Sequence, residues 1–208
     1  SPIINSKNTL NSKIEFEGSR DDIEFSINTE IYEDLSKENS SDKYEFILPN
    51  FSLSKILNTS FDGSMEISSS GYNKLYDTNI NEKILINNLS YKSQDSIKNS
   101  GLINNYEFLF KNFNADSKNS SNFKNRSENN IRGIFQFNSK FPLQKNSKNY
   151  FSTLTPIFVA KFNPQSNKNI NNEERLIDYS NIYSIDRLSS STTLEGGESI
   201  TIGNEFKL

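Results

Sequence analysis

Cysteine and histidine are both absent from this chain of 208 residues. Without cysteine the chain has no disulfide framework and no thiolate metal site. Without histidine it lacks the commonest general base and metal ligand, so a Ser-His-Asp triad is excluded. The two absences remove the disulfide-stapled small folds and the largest group of histidine-dependent enzymes.

Apolar residues and long hydrophobic runs are also scarce. Only 33% of the residues are apolar and the mean hydropathy is -0.70. No stretch approaches the roughly 18 apolar residues that mark a transmembrane helix. The net charge is only -3, from 23 basic and 26 acidic residues, which argues against nucleic acid as a partner. The aromatic content of 12% is too high for an ordinary disordered linker.

The positive signal in this polar sequence is a period of two. Apolar residues fall on Ile23, Phe25, Ile27 and Ile31, with polar residues between them. The same alternation recurs over 13–17, 61–68 and 199–203, and less strictly over 106–111 and 133–138. Alternation at this period predicts β-strands with one apolar and one polar face.

Nine strands are predicted, and no helix pattern of useful length occurs. Several are long for a soluble protein, where about 5–6 residues is typical, and suit a tilted membrane strand of roughly 9–11 residues. The predicted strands lie near 13–18, 22–32, 43–55, 60–75, 79–92, 102–114, 131–141, 151–163 and 194–206.

The connections between these strands differ in length. Residues 18–21 and 57–60 are predicted to be tight turns, whereas 33–42, 115–130 and 165–193 are predicted to be longer polar loops. Short turns on one rim and long loops on the other are typical of outer-membrane barrels.

The alternation predicts an all-β fold but leaves three interpretations open. A soluble β-sandwich buries its apolar faces, a membrane barrel turns them toward lipid, and a disordered surface tail forms no sheet. Polar residues deep within strands, the small numbers of Gly (8) and Pro (5), and the low apolar content favour the barrel.

Aromatic and acidic residues carry two further hypotheses. Tyrosines near predicted strand ends form interfacial girdles in a barrel, or simply reflect strand composition. These are Tyr44, Tyr72, Tyr91, Tyr106 and Tyr150. Adjacent carboxylates occur at Asp21/Asp22, Glu33/Asp34 and Glu173/Glu174. Neighbours on a strand point to opposite faces, so we interpret these pairs as solvated turns and not as catalytic dyads.

An ordered set of motifs in the C-terminal half resembles one family. Residues 154–164 begin Leu-Thr-Pro and end Phe-Asn-Pro, and 177–183 read Ile-Asp-Tyr-Ser-Asn-Ile-Tyr. Asp186-Arg187 follows, and 193–203 open a new strand with Thr-Leu-Glu-Gly-Gly-Glu. This order resembles the lipopolysaccharide-assembly barrel LptD, also called organic solvent tolerance protein. The resemblance is clearest over 104–206 and fainter over 13–92.

The resemblance implies a fold and a place within it. Residues 1–208 correspond to middle strands of the family's C-terminal barrel, an antiparallel meander that is part of a large transmembrane β-barrel. The N-terminal jelly roll and the lateral opening of the family fall outside the matching section. About nine strands are too few to close such a barrel, so we expect a curved open sheet with unpaired edges.

The resemblance also implies transport of lipopolysaccharide at the outer leaflet of the Gram-negative outer membrane, with no enzymatic activity and no cofactor. The implied partners are lipopolysaccharide, an LptE-like lipoprotein plug, the periplasmic lipopolysaccharide-transport bridge through the N-terminal domain, and outer-membrane lipid. The alternative from the residues alone is a soluble β-rich surface or adhesion module. A phospholipase-like barrel enzyme is disfavoured by the absence of histidine.

The family motifs single out eight residues with structural, lumen or loop roles. They are Pro156, Pro164, Asp178, Asp186, Arg187, Glu195, Gly196 and Gly197. We expect the 165–193 loop to fold over or into the lumen, with Asp186 and Arg187 forming an ion pair with Glu195 that fixes it. The alternative is a solvated loop charge that contributes little to stability.

Overall fold

The computed structural model describes residues 8–38, 43–76, 79–148, 150–167 and 177–208. The chain is all-β, an antiparallel meander in an open sheet. In the described ranges no helix is long and apolar enough to cross a membrane. The strands are β1 (Thr9–Arg20), β2 (Ile23–Asp34), β3 (Tyr44–Leu57), β4 (Gly63–Tyr76), β5 (Ile80–Ser93), β6 (Ser96–Ile97), β7 (Ile103–Lys118), β8 (Ser127–Lys140), β9 (Leu143–Asn146), β10 (Phe151–Asn163) and β11 (Gly197–Lys207).

The sheet follows the chain order almost without exception. Its order is β1-β2-β3-β4-β5-β7-β8-β10-β11, with β6 paired to β7 and β9 paired to β10. Among the described residues β1 and β11 each have one neighbour, so the sheet is not closed. The prediction of an open antiparallel meander is therefore confirmed.

The nine long strands lie within a few residues of their predicted positions, but the connections over 18–21, 33–42 and 115–130 were wrongly predicted. The 18–21 turn is shorter, because β1 continues to Arg20 and only Asp21 and Asp22 make the reversal, with Asp21 at a φ of 50°. The 115–130 loop is also shorter, since β7 continues to Lys118 and β8 begins at Ser127. Polar composition suggested loops there, but polar residues alternate within long strands of this sheet.

Two predictions about acidic residues have different outcomes. Asp21 and Asp22 form the turn between β1 and β2. Glu33 and Asp34 do not lie in a turn, because they are the last residues of β2. Glu173 and Glu174 lie outside the described residues.

The chain divides into two compact units. Unit 1 comprises Ser1–Ile56, Ile67–Asn88 and Asn112–Ile131, and unit 2 comprises Leu57–Glu66, Leu89–Lys111 and Arg132–Leu208. In unit 1, β1 and β2 pair along their whole length, which places Phe16 opposite Ile27 and Lys13 opposite Glu30. Because successive side chains alternate, one face of this pair is apolar and the other is charged.

A small apolar cluster forms in another part of unit 1. Ile84 of β5 packs with Phe113 and Ala115 of β7, and all three are buried. Phe123, from the 119–126 loop, stacks on Phe113 with ring centroids 6.0 Å apart. Tyr72 and Ile86 are partly buried against the same cluster, so for Tyr72 packing within the sheet is favoured over the interfacial girdle that was the other interpretation.

In unit 2 the two faces of β10 differ. From Leu154 to Phe162 the even-numbered residues form an apolar face, in which Leu154 lies opposite Phe206 and Phe158 lies opposite Ile202, while the opposite face mixes apolar and polar residues. Ile200 and Ile202 are 70% and 77% exposed, so this surface, the open face, is not covered by the described residues. The odd-numbered residues form the second surface, the covered face, which positions the candidate site.

Candidate functional site

The covered face of unit 2 buries charged and amide side chains. Lys161 of β10 is only 6% exposed and Gln136 of β8 is 1% exposed. The two residues are direct neighbours in the antiparallel register. Burying such groups is unfavourable unless each finds hydrogen-bonding partners. The other buried residues of this face are Lys111, Ile134, Asn138, Ile157, Val159 and Asn163.

The partners come from residues 177–196, which connect to β11 without forming a strand. The 177–196 segment begins with a compact turn, in which the Asp178 carboxylate accepts hydrogen bonds from the backbone N–H and hydroxyl of Ser180 at 2.8 and 2.6 Å. The N–H of Ile182 donates to the Asp178 carbonyl at 3.0 Å. Asp and Ser stabilise such turns because their short side chains bond to nearby backbone.

A three-residue ionic cluster attaches this segment to β10. The Arg187 Nε donates to both carboxylate oxygens of Glu195 at 3.0 and 2.9 Å, and its Nη2 also contacts Glu195. The Lys161 Nζ lies 3.0 Å from Glu195 Oε2 and donates to the Ser184 carbonyl at 2.9 Å. A carboxylate between two cations, with bidentate arginine geometry, is a strong charge-assisted arrangement.

Backbone carbonyls of the segment receive the remaining buried donors. Lys111 of β7 donates its Nζ to the Ser190 carbonyl. Gln136 Nε2 donates to the Tyr183 carbonyl at 3.0 Å. Asn163 Nδ2 donates to the Glu195 carbonyl at 2.7 Å. Side chains from three strands thus bind the main chain of the segment, which defines its path over the sheet.

Burial and hydrogen bonding change the pKa values of the charged groups in the segment. Burial raises the pKa of Glu195, but hydrogen bonds from Arg187 and Lys161 outweigh burial, so the pKa is below its ordinary value. The hydrogen bond to Glu195 raises the pKa of the Arg187 guanidinium. Asp186 behaves differently, because burial raises its pKa and the Leu188 N–H, at 3.2 Å, only partly offsets this. The expected ion pair is therefore formed by Arg187 and Glu195, with Asp186 beside it.

The paired glycines bring the two ends of the connection together. The N–H of Gly197 donates to the Gln165 carbonyl at 2.8 Å, and Gly197 has a φ of 83° that favours glycine. Gly196 lies so close to the 165–167 backbone that a side chain there would collide with it. The Glu-Gly-Gly sequence therefore starts β11 where the chain must pass against its own backbone.

The two prolines mark changes in strand pairing. Pro156 lies between Ile157, which pairs with β8, and Leu154, which pairs with β9. Proline has no N–H to donate, so it fits the point where one partner strand gives way to another. Pro164 directly follows the end of β10. These two residues shape the strand and do not contact the ionic cluster in any described interaction.

A cavity of about 400 Å³ with a mixed polar and apolar lining lies beside the segment in unit 2. Lys92 and Glu107 in its lining form an ion pair at 3.1 Å. Asn138 Nδ2 donates to Asn105 Oδ1 at 2.8 Å in the same lining. Paired charges and mixed amide donors and acceptors suit a hydroxyl-rich ligand better than a strongly charged one. Other lining residues are Lys140, Ile157, Val159, Ser180, Tyr183, Ser184, Ile185 and Glu205.

Sequence reasoning identified the segment side of this site but not the strand side. Lys111, Gln136 and Lys161 were missed, although a lone lysine within the apolar run 157–162 was an available signal. The described residues contain no group of three or more His, Cys, Asp or Glu side chains that could hold a metal ion. The arrangement is suited to holding a chain segment and polar solutes.

No protein-family model matches the chain, and no curated protein matches it.

Proposed function

We propose that this chain is a section of the wall of a transmembrane β-barrel in the outer membrane of a Gram-negative bacterium, and that the barrel transports lipopolysaccharide to the outer leaflet. The activity is transport and not catalysis. The implied partners are lipopolysaccharide, an LptE-like lipoprotein plug, a periplasmic lipopolysaccharide-transport bridge and outer-membrane lipid. One observation carries the proposal: one face of the unit 2 strands is apolar and exposed, while the opposite face, which holds buried Lys161 and Gln136 besides apolar residues, is covered by residues 177–196.

The open face of unit 2 supports a lipid-facing assignment. Contiguous exposed apolar surface of this extent is unusual for a soluble monomer. A bilayer stabilises such a surface, provided that the backbone is hydrogen-bonded between strands. The exposed large apolar residues of this face in unit 2, on β8, β10 and β11, are Phe135, Phe137, Leu154, Phe158, Phe162, Ile200, Ile202 and Phe206.

The covered face supports a lumen assignment. Barrel interiors are polar, and long loops commonly fold into them. Here the 177–196 segment is bound through Lys111, Gln136 and Lys161, and a cavity with hydroxyl and amide groups in its lining remains beside it. These groups offer hydrogen bonds to the saccharide of a glycolipid, and the exposed Lys140 in the lining offers a contact to phosphate. The order of motifs over 154–203 supplies the specific link to lipopolysaccharide.

A soluble β-rich surface or adhesion module is the second candidate. The apolar cluster of Ile84, Phe113 and Ala115 favours it, because apolar residues inside and polar residues outside are the pattern of a water-soluble sheet. Detergent dependence separates the candidates. The barrel section is expected to aggregate without detergent, whereas a module is expected to remain monomeric and folded in buffer. Monomeric folding in buffer alone would overturn the barrel assignment.

Site-specific photo-crosslinking tests the transported substrate. A cross-linker at Asn138, on the covered face beside the cavity, is expected to capture lipopolysaccharide only while transport is active. A cross-linker at Phe137, on the open face of the same strand, is expected to capture lipid whether or not transport is active. Absence of lipopolysaccharide at Asn138 in cells with normal surface lipopolysaccharide contradicts the transport role.

Replacing Arg187 by alanine tests whether the attached segment matters for transport. The loss of the bidentate contact to Glu195 is expected to lower surface lipopolysaccharide and to increase sensitivity to large antibiotics. Arg126→Ala, at an exposed loop arginine, is the matched control and is expected to behave as wild type. Unchanged antibiotic sensitivity of Arg187→Ala in the intact protein would contradict a role of the attached segment in transport.

A further inference from the structure

Five polar side chains form a continuous row across unit 1. The row, called here the amide ladder, consists of Ser69, Asn87, Asn112, Asn114 and Asn129. The Ser69 hydroxyl donates to Asn87 Oδ1 at 2.8 Å, and Asn87 Nδ2 donates to Asn112 Oδ1 at 3.3 Å. Asn114 Nδ2 donates to Asn112 Oδ1 at 2.6 Å and Asn129 donates to Asn114 Oδ1.

The amide ladder lies on the sheet surface opposite the apolar cluster. Asn112 and Asn114 alternate along β7 with Phe113 and Ala115, and neighbours on a strand point to opposite faces. Asn87 likewise alternates with the partly buried Ile86 on β5. This part of unit 1 therefore has apolar residues toward the 119–126 loop and amides on the other side.

The same side of unit 1 is apolar on its first strands. A Cβ at Gly71, two residues from Ser69 on β4, would lie 3.1 Å from the Phe51 ring. Phe51 lies opposite Ile27, which lies opposite Phe16. The side that bears the amide ladder is therefore continuous with the apolar face of β1–β3. The same side of unit 1 is therefore apolar on β1–β3 and polar at the amide ladder.

Hydrocarbon does not suit the amide ladder. Each amide has two N–H donors and an oxygen with two lone pairs, and the ladder uses part of this capacity. Buried amides without partners are costly. Two exposed charged residues occupy the same side, Lys83 on β5 and Asp116 on β7. A charge on the lipid face is costly at the bilayer midplane and nearly free at the interface.

On this side of β7 the side chains change from aromatic to polar between two successive residues of that side. Every second residue from 106 to 116 reads Tyr, Phe, Phe, Asn, Asn, Asp. Phe110 and Asn112 are separated by two residues, or about 6–7 Å along the strand. That length is close to the thickness of one headgroup layer, roughly 5–7 Å per side. The polar end of β7 leads into the 119–126 loop.

We infer that the amide ladder contacts the polar headgroup layer of the membrane, just beyond the hydrocarbon on the side of the 119–126 loop. A cavity of about 430 Å³ opens at this surface, and its mostly apolar lining includes the polar groups of Lys83, Asn114 and Asn129, to which headgroups can hydrogen-bond. The inference rests on the proposed barrel function and adds the level at which this part of the wall leaves the hydrocarbon.

Fluorescence quenching in lipid vesicles tests the inference, because the chain has no cysteine of its own and accepts single reporters. An environment-sensitive thiol dye is attached to Asn112→Cys or Phe108→Cys of this chain within the intact barrel protein, with any cysteine outside the chain replaced. The phosphatidylcholine vesicles carry a spin label either on the headgroup or deep in the acyl chain. Ser69→Cys, a near-isosteric change at the end of the ladder, is the second reporter in case Asn112→Cys disturbs folding.

The expected result is a several-fold stronger quenching of Asn112→Cys and Ser69→Cys by the headgroup label than by the acyl label, with the reverse at Phe108→Cys. Acyl-chain quenching at the ladder, or no quenching by either label, overturns the inference. Phe158→Cys on the open face of unit 2 distinguishes a failure of this inference from a failure of the proposed barrel function. If its dye is also unquenched by the acyl label, the barrel proposal fails as well.

Discussion

Two loops in this chain fold back onto strands, and they differ in the contacts that hold them. In unit 2 the 177–196 segment is held by ion pairs and hydrogen bonds to buried Lys161 and Gln136, besides the burial of its own Leu194. In unit 1 the 119–126 loop packs Phe123 on the apolar cluster and adds hydrogen bonds to Glu82. An ionic cluster is thus the distinctive contact of one loop, and aromatic packing is the distinctive contact of the other.

The contrast predicts that the two loop attachments respond differently to the loss of a side chain. A polar attachment depends on a few atoms with defined geometry, and the loss of one partner leaves a buried charge uncompensated. An apolar attachment scales with contact area, and its neighbours relax partly around a truncation. Glu82 adds one polar element to unit 1, since its buried carboxylate accepts from Tyr76 at 2.8 Å and from Ser120.

The largest expected effect is that of Glu195→Ala. Removing the carboxylate leaves Lys161 and Arg187 as buried cations without their partner, which costs roughly 3–5 kcal/mol. The measurement is the urea dependence of protease cleavage within 177–196. Glu198→Ala, at an exposed position of β11, is the matched control. Equal protease sensitivity of the two variants would show that the ionic cluster does not hold the segment.

Phe113→Ala is expected to have the next largest effect and to act on the other loop. Its side chain is 1% exposed, and truncation of a buried phenylalanine costs about 3 kcal/mol or more. The lower end of that range applies because Phe123 lies on a loop that can move into the space. Cleavage within 119–126 should increase while cleavage within 177–196 is unchanged. Phe135→Ala on the open face is the control, with a smaller loss in detergent.

Glu82→Gln tests the polar element of unit 1. The amide retains one oxygen acceptor but loses the charge that strengthens the bonds from Tyr76 and Ser120, so about 1–2 kcal/mol of stability is expected to be lost. Thermal unfolding in detergent and cleavage within 119–126 report this change. Glu66→Gln, at an exposed position of β4, controls for charge removal. A loss as large as that of Phe113→Ala would show that the loop depends on Glu82 more than on packing.

Acidification is expected to release the polar attachment before the apolar one. The pKa of Glu195 is lowered in the folded chain, so its contribution is complete above the ordinary glutamate pKa of 4.5. That stability is lost as the pH falls through the lower folded pKa. Protease cleavage at 177–196 should therefore rise below about pH 4.5, with the 119–126 loop less affected. If an acid-resistant protease cleaves both loops over the same pH range, the two attachments do not differ in their sensitivity to acid.

Asp186→Asn is expected to have the smallest effect, in the opposite direction. Because burial raises the pKa of Asp186, its charge destabilises the fold as the pH rises above the ordinary aspartate value. An asparagine removes that charge and keeps an oxygen for the Leu188 N–H. The variant should be slightly more stable than wild type at neutral pH and indistinguishable in acid. Lower stability at neutral pH would mean that the Asp186 charge assists the cluster.

The sequence predicted strands more accurately than connections. Alternation at Ile23, Phe25 and Ile27 placed β2 within a few residues, because period two is a local property of extended backbone. Loop lengths failed at 115–130, since polarity alone does not separate a loop from a strand with a polar face. The family motifs suggested an ion pair of Asp186 and Arg187 with Glu195, and the structure forms the Arg187–Glu195 part of it.

The strand partners of the site had no local signal of comparable strength. Lys161 and Glu195 are separated by 34 residues, and Gln136 and Tyr183 by 47. Contacts over such separations depend on which strands are neighbours and on their register. A shift of one residue in β10 would have moved Lys161 to the apolar face.

The sequence by itself therefore determined long strands with one apolar and one polar face, and the absence of cysteine and histidine chemistry. It left open which face is covered. Tertiary structure decided that, because the 177–196 segment supplies to Lys161 the carboxylate and carbonyl partners that burial of a charge requires. It also decided that part of unit 1 has the opposite polarity, with Phe113 under a loop and amides on the other side, since face assignment depends on what packs against each strand.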